Sequence, residues 1–217
     1  EYIMRENMIF NPSIYQLRES SLKRMLAIIN NQKNVTNNQI LFFGDSIFEF
    51  CDVKRYFPNN KIINCGIAGA TSDELLWIID EAVIKYHPQK VFIHVGTNDL
   101  GNTTMHSPRK IAENIALIVE IIQRNLLDCS IYIISPLPCI EEQQAFPNVN
   151  GIRSNAFLKY IFQILPEYIS DDKITMIDIF AQFYKDGQVN TDLYKDGLHP
   201  SDQGYQVMAK NLKKYLH

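Results

Sequence analysis

Three stretches of this chain carry side chains whose types and spacing could do chemistry together. Gly44-Asp45-Ser46 puts a hydroxyl directly after the apolar run Leu41-Phe42-Phe43. A buried strand delivering its last residues into a pocket reads this way. Gly96-Thr97-Asn98-Asp99 follows a second apolar run, Val91 to Val95, and Asp196-Gly197-Leu198-His199-Pro200 places a carboxylate three residues before an imidazole. A serine hydroxyl is a poor nucleophile until a base takes its proton, and His199 is the candidate base for Ser46. Asp196 could accept the other ring N–H, hold one tautomer and stabilise the imidazolium formed during attack. An acyl oxygen that gains charge in such a reaction needs preorganised donors. The backbone N–H groups of Ser46 and Gly69 and the side-chain amide of Asn98 could supply three.

The elements that would have to position these residues can be read from the hydrophobic pattern. Strands are expected at Ile40 to Phe43, Lys61 to Cys65, Val91 to Val95, Ile131 to Ile134 and Ile174 to Ile179. An amphipathic helix is expected at about 13–31, with Ile14, Leu17, Met25 and Ile28 near helical spacing and Leu22, Leu26 and Ile29 widening the stripe. Thr71 and Glu74 have capping-box spacing ahead of Leu75, Leu76, Ile79, Ala82 and Val83. Ser107-Pro108 supplies a capping hydroxyl and then proline at the first helical position, and Ile111, Ile115, Ile118 and Ile122 follow on one face. Further helices are expected from about Ile152 to Leu165 and from Ser201 onward. Strands alternating with helices and joined by long crossovers imply parallel pairing. The expected fold is α/β: one three-layer α/β/α domain over residues 1–217, with a flavodoxin-like five-stranded parallel sheet.

Taken singly, each candidate has a structural reading. Ser46 fits a helix cap, Gly69 a turn glycine, Asn98 a turn or cap residue and Asp196-Gly197 an ordinary turn. Asp45 and Asp99 read as loop-shaping hydrogen-bond acceptors, and His94, inside a strand, as a satisfied core histidine. His87, His106 and His217 fall in loops or at the terminus, with no carboxylate or cysteine at metal-ligand spacing. The functional reading rests on convergence, because the polar residues collect after strands one, two and three and before the last helix. In open parallel sheets, sites form beyond the carboxyl ends of the strands.

Composition narrows the class. The 217 residues are 46% hydrophobic and 11% aromatic, enough for a substantial core. Net charge is −3, from 21 basic and 24 acidic side chains that are well mixed, so no nucleic-acid footprint is indicated. Lys210, Lys213 and Lys214 are the densest basic cluster and complement the dipole at a helix C-terminus. The cysteines Cys51, Cys65, Cys129 and Cys139 form no C-x-x-C pair, which favours a reducing compartment. No apolar segment is long enough to span a membrane and no signal peptide is visible. A cytoplasmic location is therefore expected, with room for an upstream segment because the chain begins at Glu1. A homo-oligomer is compatible with the sequence.

Gly44-Asp45-Ser46, the glycine of Gly66-Ile67-Ala68-Gly69, Gly96-Thr97-Asn98-Asp99 and Asp196-Gly197-Leu198-His199-Pro200 together resemble the four blocks of the SGNH hydrolases, also called GDSL esterases/lipases. They match in order and spacing from residue 44 to residue 200. The pattern is similar to the branch containing platelet-activating-factor acetylhydrolase-like proteins. The resemblance implies catalytic residues Ser46, Asp196 and His199, with an oxyanion hole of Ser46, Gly69 and Asn98. It implies a metal-independent serine esterase needing no cofactor, acting on a small-molecule ester such as a short-chain ester, a lysophospholipid or an O-acetylated sugar. Phe48 occupies the final position of the G-x-S-x-G elbow of α/β-hydrolases, which sets that family aside. Ile47, Leu100, Leu137 and Ile140 are candidates for either an acyl pocket or the core. Two other readings are a nucleotide- or phosphate-binding module using Gly66-x-x-Gly69 and a non-catalytic binder of acylated glycans.

Overall fold

The computed structural model describes residues 18–36, 39–101, 106–144 and 153–217. Its sheet contains β1 (Ile40–Gly44), β2 (Ile62–Gly66), β3 (Lys90–His94), β4 (Ser130–Ile134) and β5 (Thr175–Ile177). All four pairings are parallel, in the order β2-β1-β3-β4-β5. That is the flavodoxin-like order, with the chain reversing its direction of travel across the sheet at β1 and β3. Gly44 pairs with Gly66 on one side and His94 on the other, so the loops after β1, β2 and β3 leave from one level of one edge.

Among the described residues the helices are α1 (Glu19–Asn31), α2 (Ser46–Glu49), α3 (Val53–Tyr56), α4 (Ser72–Ala82), α5 (Thr97–Gly101), α6 (Pro108–Asn125), α7 (Asn155–Ile164) and α8 (Asp202–Leu212). Alternation along the strands divides the core in two. Leu41, Phe43, Val91, Ile93, Ile131 and Ile133 point to the layer containing α1, α4, α6 and α7. Ile40, Phe42 and Phe92 point to the layer closed by α3 and α8. There Phe42 stacks on Phe48 at 4.4 Å and meets Phe57 and Phe92 edge-on. Complete burial of one such ring stabilises the fold by about 2–3 kcal/mol.

The helix starts follow local chemistry. Thr71 and Glu74 form a reciprocal capping box on α4, and Ser107 accepts from Lys110 N ahead of Pro108 at the start of α6. Ser154 and Ser201 cap α7 and α8 in the same way. Three features depart from the sequence reading. The α1 face turned inward is Ser21, Met25 and Ile28, while Leu22, Leu26 and Ile29 flank it and are exposed. Residues 13–17 of that expected helix, and 151–152 ahead of α7, lie outside the described residues. β5 stops at Ile177 because the Asp178 carboxylate accepts from Phe180 N and turns the chain. A short hairpin of β6 (Tyr184–Lys185) and β7 (Gln188–Val189) turns through Asp186 and Gly187, both at positive φ.

The four cysteines are free, and burial pushes each thiol up to about 12. Among the described residues no helix is long and apolar enough to cross a membrane.

Candidate active site

β1 ends where backbone approaches backbone. A Cβ on Gly44 would fall on the His94 carbonyl oxygen, so glycine is required there. Asp45 then keeps an extended backbone and its carboxylate accepts from Ile47 N at 2.9 Å, which starts the four-residue α2. Asp45, not Ser46, is therefore the capping residue. Ser46 is the first residue of that helix, so its N–H has no intrahelical acceptor. Its side chain is turned toward the loop before α8, and its Oγ lies 2.8 Å from His199 Nε2.

That loop is a closed turn. An antiparallel bridge joins Tyr194 to Pro200, Lys195 N donates to His199 O, and Gly197 takes φ +79° inside it. Asp196 organises the interior. Its Oδ1 accepts from Leu198 N at 3.0 Å and His199 N at 2.8 Å, and its Oδ2 faces His199 Nδ1 at 2.7 Å. Because a carboxylate accepts, this contact assigns the ring proton to Nδ1 and the lone pair to Nε2, facing Ser46. Partial burial pulls the Asp196 pKa upward. The backbone and ring donors of His199 outweigh it and hold the carboxyl below its ordinary value. Tyr205 on α8 donates to Ile47 O at 2.8 Å, which ties the two sides of this arrangement together.

The loop carrying Gly69 and the short helix α5 carrying Asn98 are braced from several directions. In the 66–70 loop, the N–H groups of Gly66, Ile67, Ala68 and Ala70 donate to Asn64 Oδ1, Gly44 O, Glu49 Oε2 and Ile67 O. The Gly69 N–H has no acceptor among the described residues, and Gly69 itself sits at φ +79°. From α1, Arg24 donates to Gly66 O and Asn64 O, and Ser21 to Ala68 O. Asn98 Nδ2 donates to Ala70 O at 3.0 Å.

Asp99 has a larger task than shaping its own loop. Both of its oxygens lie 3.0 Å from Ser72 N, and Ser72 Oγ donates to Oδ1, so it fastens the start of α4 to α5. Burial pushes the Asp99 pKa up to about 6 against the pull of the Ser72 donors. His106 pairs with Asp73 beside this cluster, an ion pair that its loop position in the sequence did not signal. His94 is buried, but neither ring nitrogen has a hydrogen-bond partner among the described residues; Asp45 Oδ1 lies 3.6 Å from Nδ1. It is a core histidine, though not a satisfied one.

The chain has counterparts among known proteins. Residues 42–207 match the model of the GDSL-like lipase/acylhydrolase family. The chain belongs to that family. Among solved structures, this GDSL-like hydrolase is similar to one from Streptococcus pneumonia provisionally named a platelet activating factor. That pair has 29% identity and a TM-score of 0.81, covering 92% of this chain and 94% of the other. A Bacteroides fragilis structure, provisionally named an acylhydrolase, has 25% identity and a TM-score of 0.77, covering 93% and 98%. A curated relative, the platelet-activating factor acetylhydrolase IB subunit beta homolog of Drosophila melanogaster, is 30% identical over 104 residues. Those residues are 46% of this chain and 44% of the relative, so the chain spans less than half of that protein.

Of the four apolar candidates for an acyl pocket in this hydrolase, Ile47, Leu100 and Leu137 are core and only Ile140 is half-buried. The apolar side chain beside the imidazole is instead Phe50, whose half-exposed ring stands 5.2 Å from that of His199. Its place at the end of a four-residue helix gave no periodic signal in the sequence.

Proposed function

We propose that this chain is a serine esterase that hydrolyses small acyl esters through an acyl-enzyme on Ser46. The observation that carries this reading is the continuous line of short contacts from Ser46 Oγ through the His199 ring to Asp196, at 2.8 and 2.7 Å. In this mechanism Ser46 Oγ attacks the ester carbonyl carbon as its proton passes to His199 Nε2. Asp196 stabilises the imidazolium. The carbonyl oxygen becomes an oxyanion and accepts from Ser46 N–H, Gly69 N–H and the Asn98 amide. Collapse breaks the ester bond, and the leaving alkoxide takes the proton from Nε2. Water activated by the same imidazole then attacks the acyl-Ser46 carbonyl and releases the carboxylic acid.

Two observations favour this over an anion-binding loop. A phosphate cradle needs several N–H groups aimed outward, whereas in the 66–70 loop the Gly69 N–H alone is without an internal acceptor among the described residues. The Glu49 carboxylate, 2.5 Å from Ala68 N, also puts a negative charge where such an anion would sit. A small acyl group is supported by the packing of Ile47, Leu100 and Leu137 into the core, and by the acetylhydrolase name of the Drosophila relative. Acetyl and short-chain esters, O-acetylated sugars and lysophospholipid-like esters are the substrates to compare.

The test is labelling with a fluorophosphonate, followed by peptide mass spectrometry and hydrolysis of p-nitrophenyl acetate. One adduct on Ser46 is expected, with hydrolysis reduced to background in Ser46→Ala and His199→Ala. An adduct elsewhere on folded protein, or turnover that survives Ser46→Ala, would remove the serine-esterase reading.

A further inference from the structure

A primary amide has a donor end and an acceptor end of nearly the same shape, so a role as oxyanion donor requires that something fix which end faces the substrate. In this chain Asn98 is held at both ends. Ala70 O can only accept, and it lies 3.0 Å from Nδ2. The Arg153 guanidinium can only donate, and its Nη2 lies 3.4 Å from Oδ1. The same guanidinium donates through Nε to Thr97 O at 2.9 Å, the carbonyl just before Asn98. Its third arm, Nη1, donates to Gln144 Oε1 at 3.0 Å, and Gln144 Nε2 donates onward to Gly197 O at 3.1 Å. The Arg153 side chain also lies flat against Gly101, at the end of the helix that carries Asn98; a Cβ there would stand 3.3 Å from Arg153 Cβ, Nε and Cζ.

We infer that Arg153 is a positioning residue for the Asn98 amide, fixing its donor end toward the reacting carbonyl and fastening the Asn98 loop, through Gln144, to the loop of Asp196 and His199. The inference rests on the esterase reading above. Two physical effects follow from the geometry. A donor-only partner on Oδ1 opposes rotation of the amide, which would turn an acceptor oxygen toward a developing oxyanion. A cation on Oδ1 also polarises the amide and strengthens its N–H groups as donors. Both matter more in the transition state than in the ground state, so the effect belongs in kcat rather than KM.

The experiment is a double-mutant cycle on ester hydrolysis with Arg153→Met, Asn98→Ala and the pair, together with Arg153→Lys, which keeps charge and one donor. Arg153→Met is expected to lower kcat about 10- to 100-fold with KM changed less than twofold, consistent with loss of orientation of one oxyanion donor. Arg153→Lys should recover part of the loss. In the Asn98→Ala background Arg153→Met should cost less than threefold, since the group it positions is gone. An equal loss in both backgrounds, no loss at all, or a loss carried by KM would overturn the role. A readout independent of turnover is the Asn98 side-chain NH2 pair in a nitrogen–proton correlation spectrum, assigned by its absence in Asn98→Ala. Arg153→Met should shift that pair while the rest of the spectrum stays folded, and an unmoved pair would refute the inference. If the wild-type protein shows neither hydrolysis nor Ser46 labelling, the esterase reading fails, and the amide resonance still decides whether Arg153 orients Asn98.

Discussion

Replacing Asp196 with asparagine should harm this site more than replacing it with alanine, and the hydrogen bonds show why. Asp196 Oδ1 accepts from two backbone N–H groups, of Leu198 and His199, while Oδ2 faces His199 Nδ1 at 2.7 Å. An asparagine keeps the two backbone bonds only with its oxygen in the Oδ1 position, which turns its NH2 toward Nδ1. Flipping the amide gives up both bonds, at about 1 kcal/mol each, so the unflipped form leads by about 2 kcal/mol, roughly thirtyfold. With a donor at Nδ1 the ring must carry its proton on Nε2, 2.8 Å from Ser46 Oγ, where it can no longer accept one. Buried serine triads lose about 10⁴ in kcat on this change. The Asp196 side chain is 54% exposed, so solvent screens the charge part of the effect while the tautomer part stays. Asp196→Asn should therefore lower kcat/KM for p-nitrophenyl acetate about 10³-fold. Asp196→Ala leaves room for water to accept from Nδ1–H and should lose about 10²-fold. Both are measured against a Ser46→Ala baseline. An asparagine variant within tenfold of wild type, or faster than the alanine variant, would show that Asp196 does not set the imidazole tautomer.

Gly69→Ala puts an L side chain at φ +79°, costing about 1–2 kcal/mol, and drives its Cβ into the Arg18 guanidinium. A melting temperature lower by a few degrees is expected with activity down at least tenfold, and full activity would exclude a catalytic role for that N–H. The Asp73–His106 pair makes stability depend on pH. Its hydrogen bond to Asp73 raises the His106 pKa above the ordinary histidine value of 6.5, against the opposing effect of burial and with help from the buried Asp99. Burial acts to raise the Asp73 pKa, but His106, Asn114 and Lys110 hold it below its ordinary 3.8. A raised histidine stabilises fully below 6.5 and loses that contribution as pH rises through its folded value. A lowered aspartate stabilises above 3.8 and loses it as pH falls through its own. His106→Gln should therefore cost about 1–3 kcal/mol in urea unfolding between about pH 4 and 6.5, and progressively less toward pH 9. A cost independent of pH would mean that packing, not the ion pair, holds this corner.

How much of this was legible in the sequence depended on whether the interaction is local. The approximate strand positions and the helix starts at Thr71, Ser107 and Ser201 follow from periodicity and from contacts within three or four residues, so pattern alone was enough. The short helices at Ser46 and Thr97 had no period to show. The exposure of Leu22, Leu26 and Ile29 depended on which way α1 rolls against α4, which helical spacing leaves open. For the candidate site, the residue types were visible one by one, but what holds them was not. Asp99 bonds Ser72 27 residues away, Arg153 bonds Asn98 55 residues away, and Glu49 bonds Ala68 across 19. Each of these looks like an ordinary surface polar residue until the tertiary fold supplies its partner.

The same distinction explains where this hydrolase places its charged side chains. In the proposed mechanism, oxyanion stabilisation depends on donors that are already aimed, so the segments carrying them cannot be left to find their geometry on binding. Glycine at position 69 supplies close approach at the cost of backbone freedom, and the chain offsets that freedom from outside the loop. Glu49, Arg24 and Ser21 hold its neighbours from one side, while Asn98 and Asp99 hold Ala70 and Ser72 from the other. Every hydrogen-bonding group within the 66–70 stretch that is bound internally makes the direction of the one unbound N–H more definite. The carboxylates of Glu49 and Asp99 therefore act as struts, and under the proposed esterase mechanism a neutral isostere at either should disturb the aim of the Gly69 N–H before it disturbs the fold.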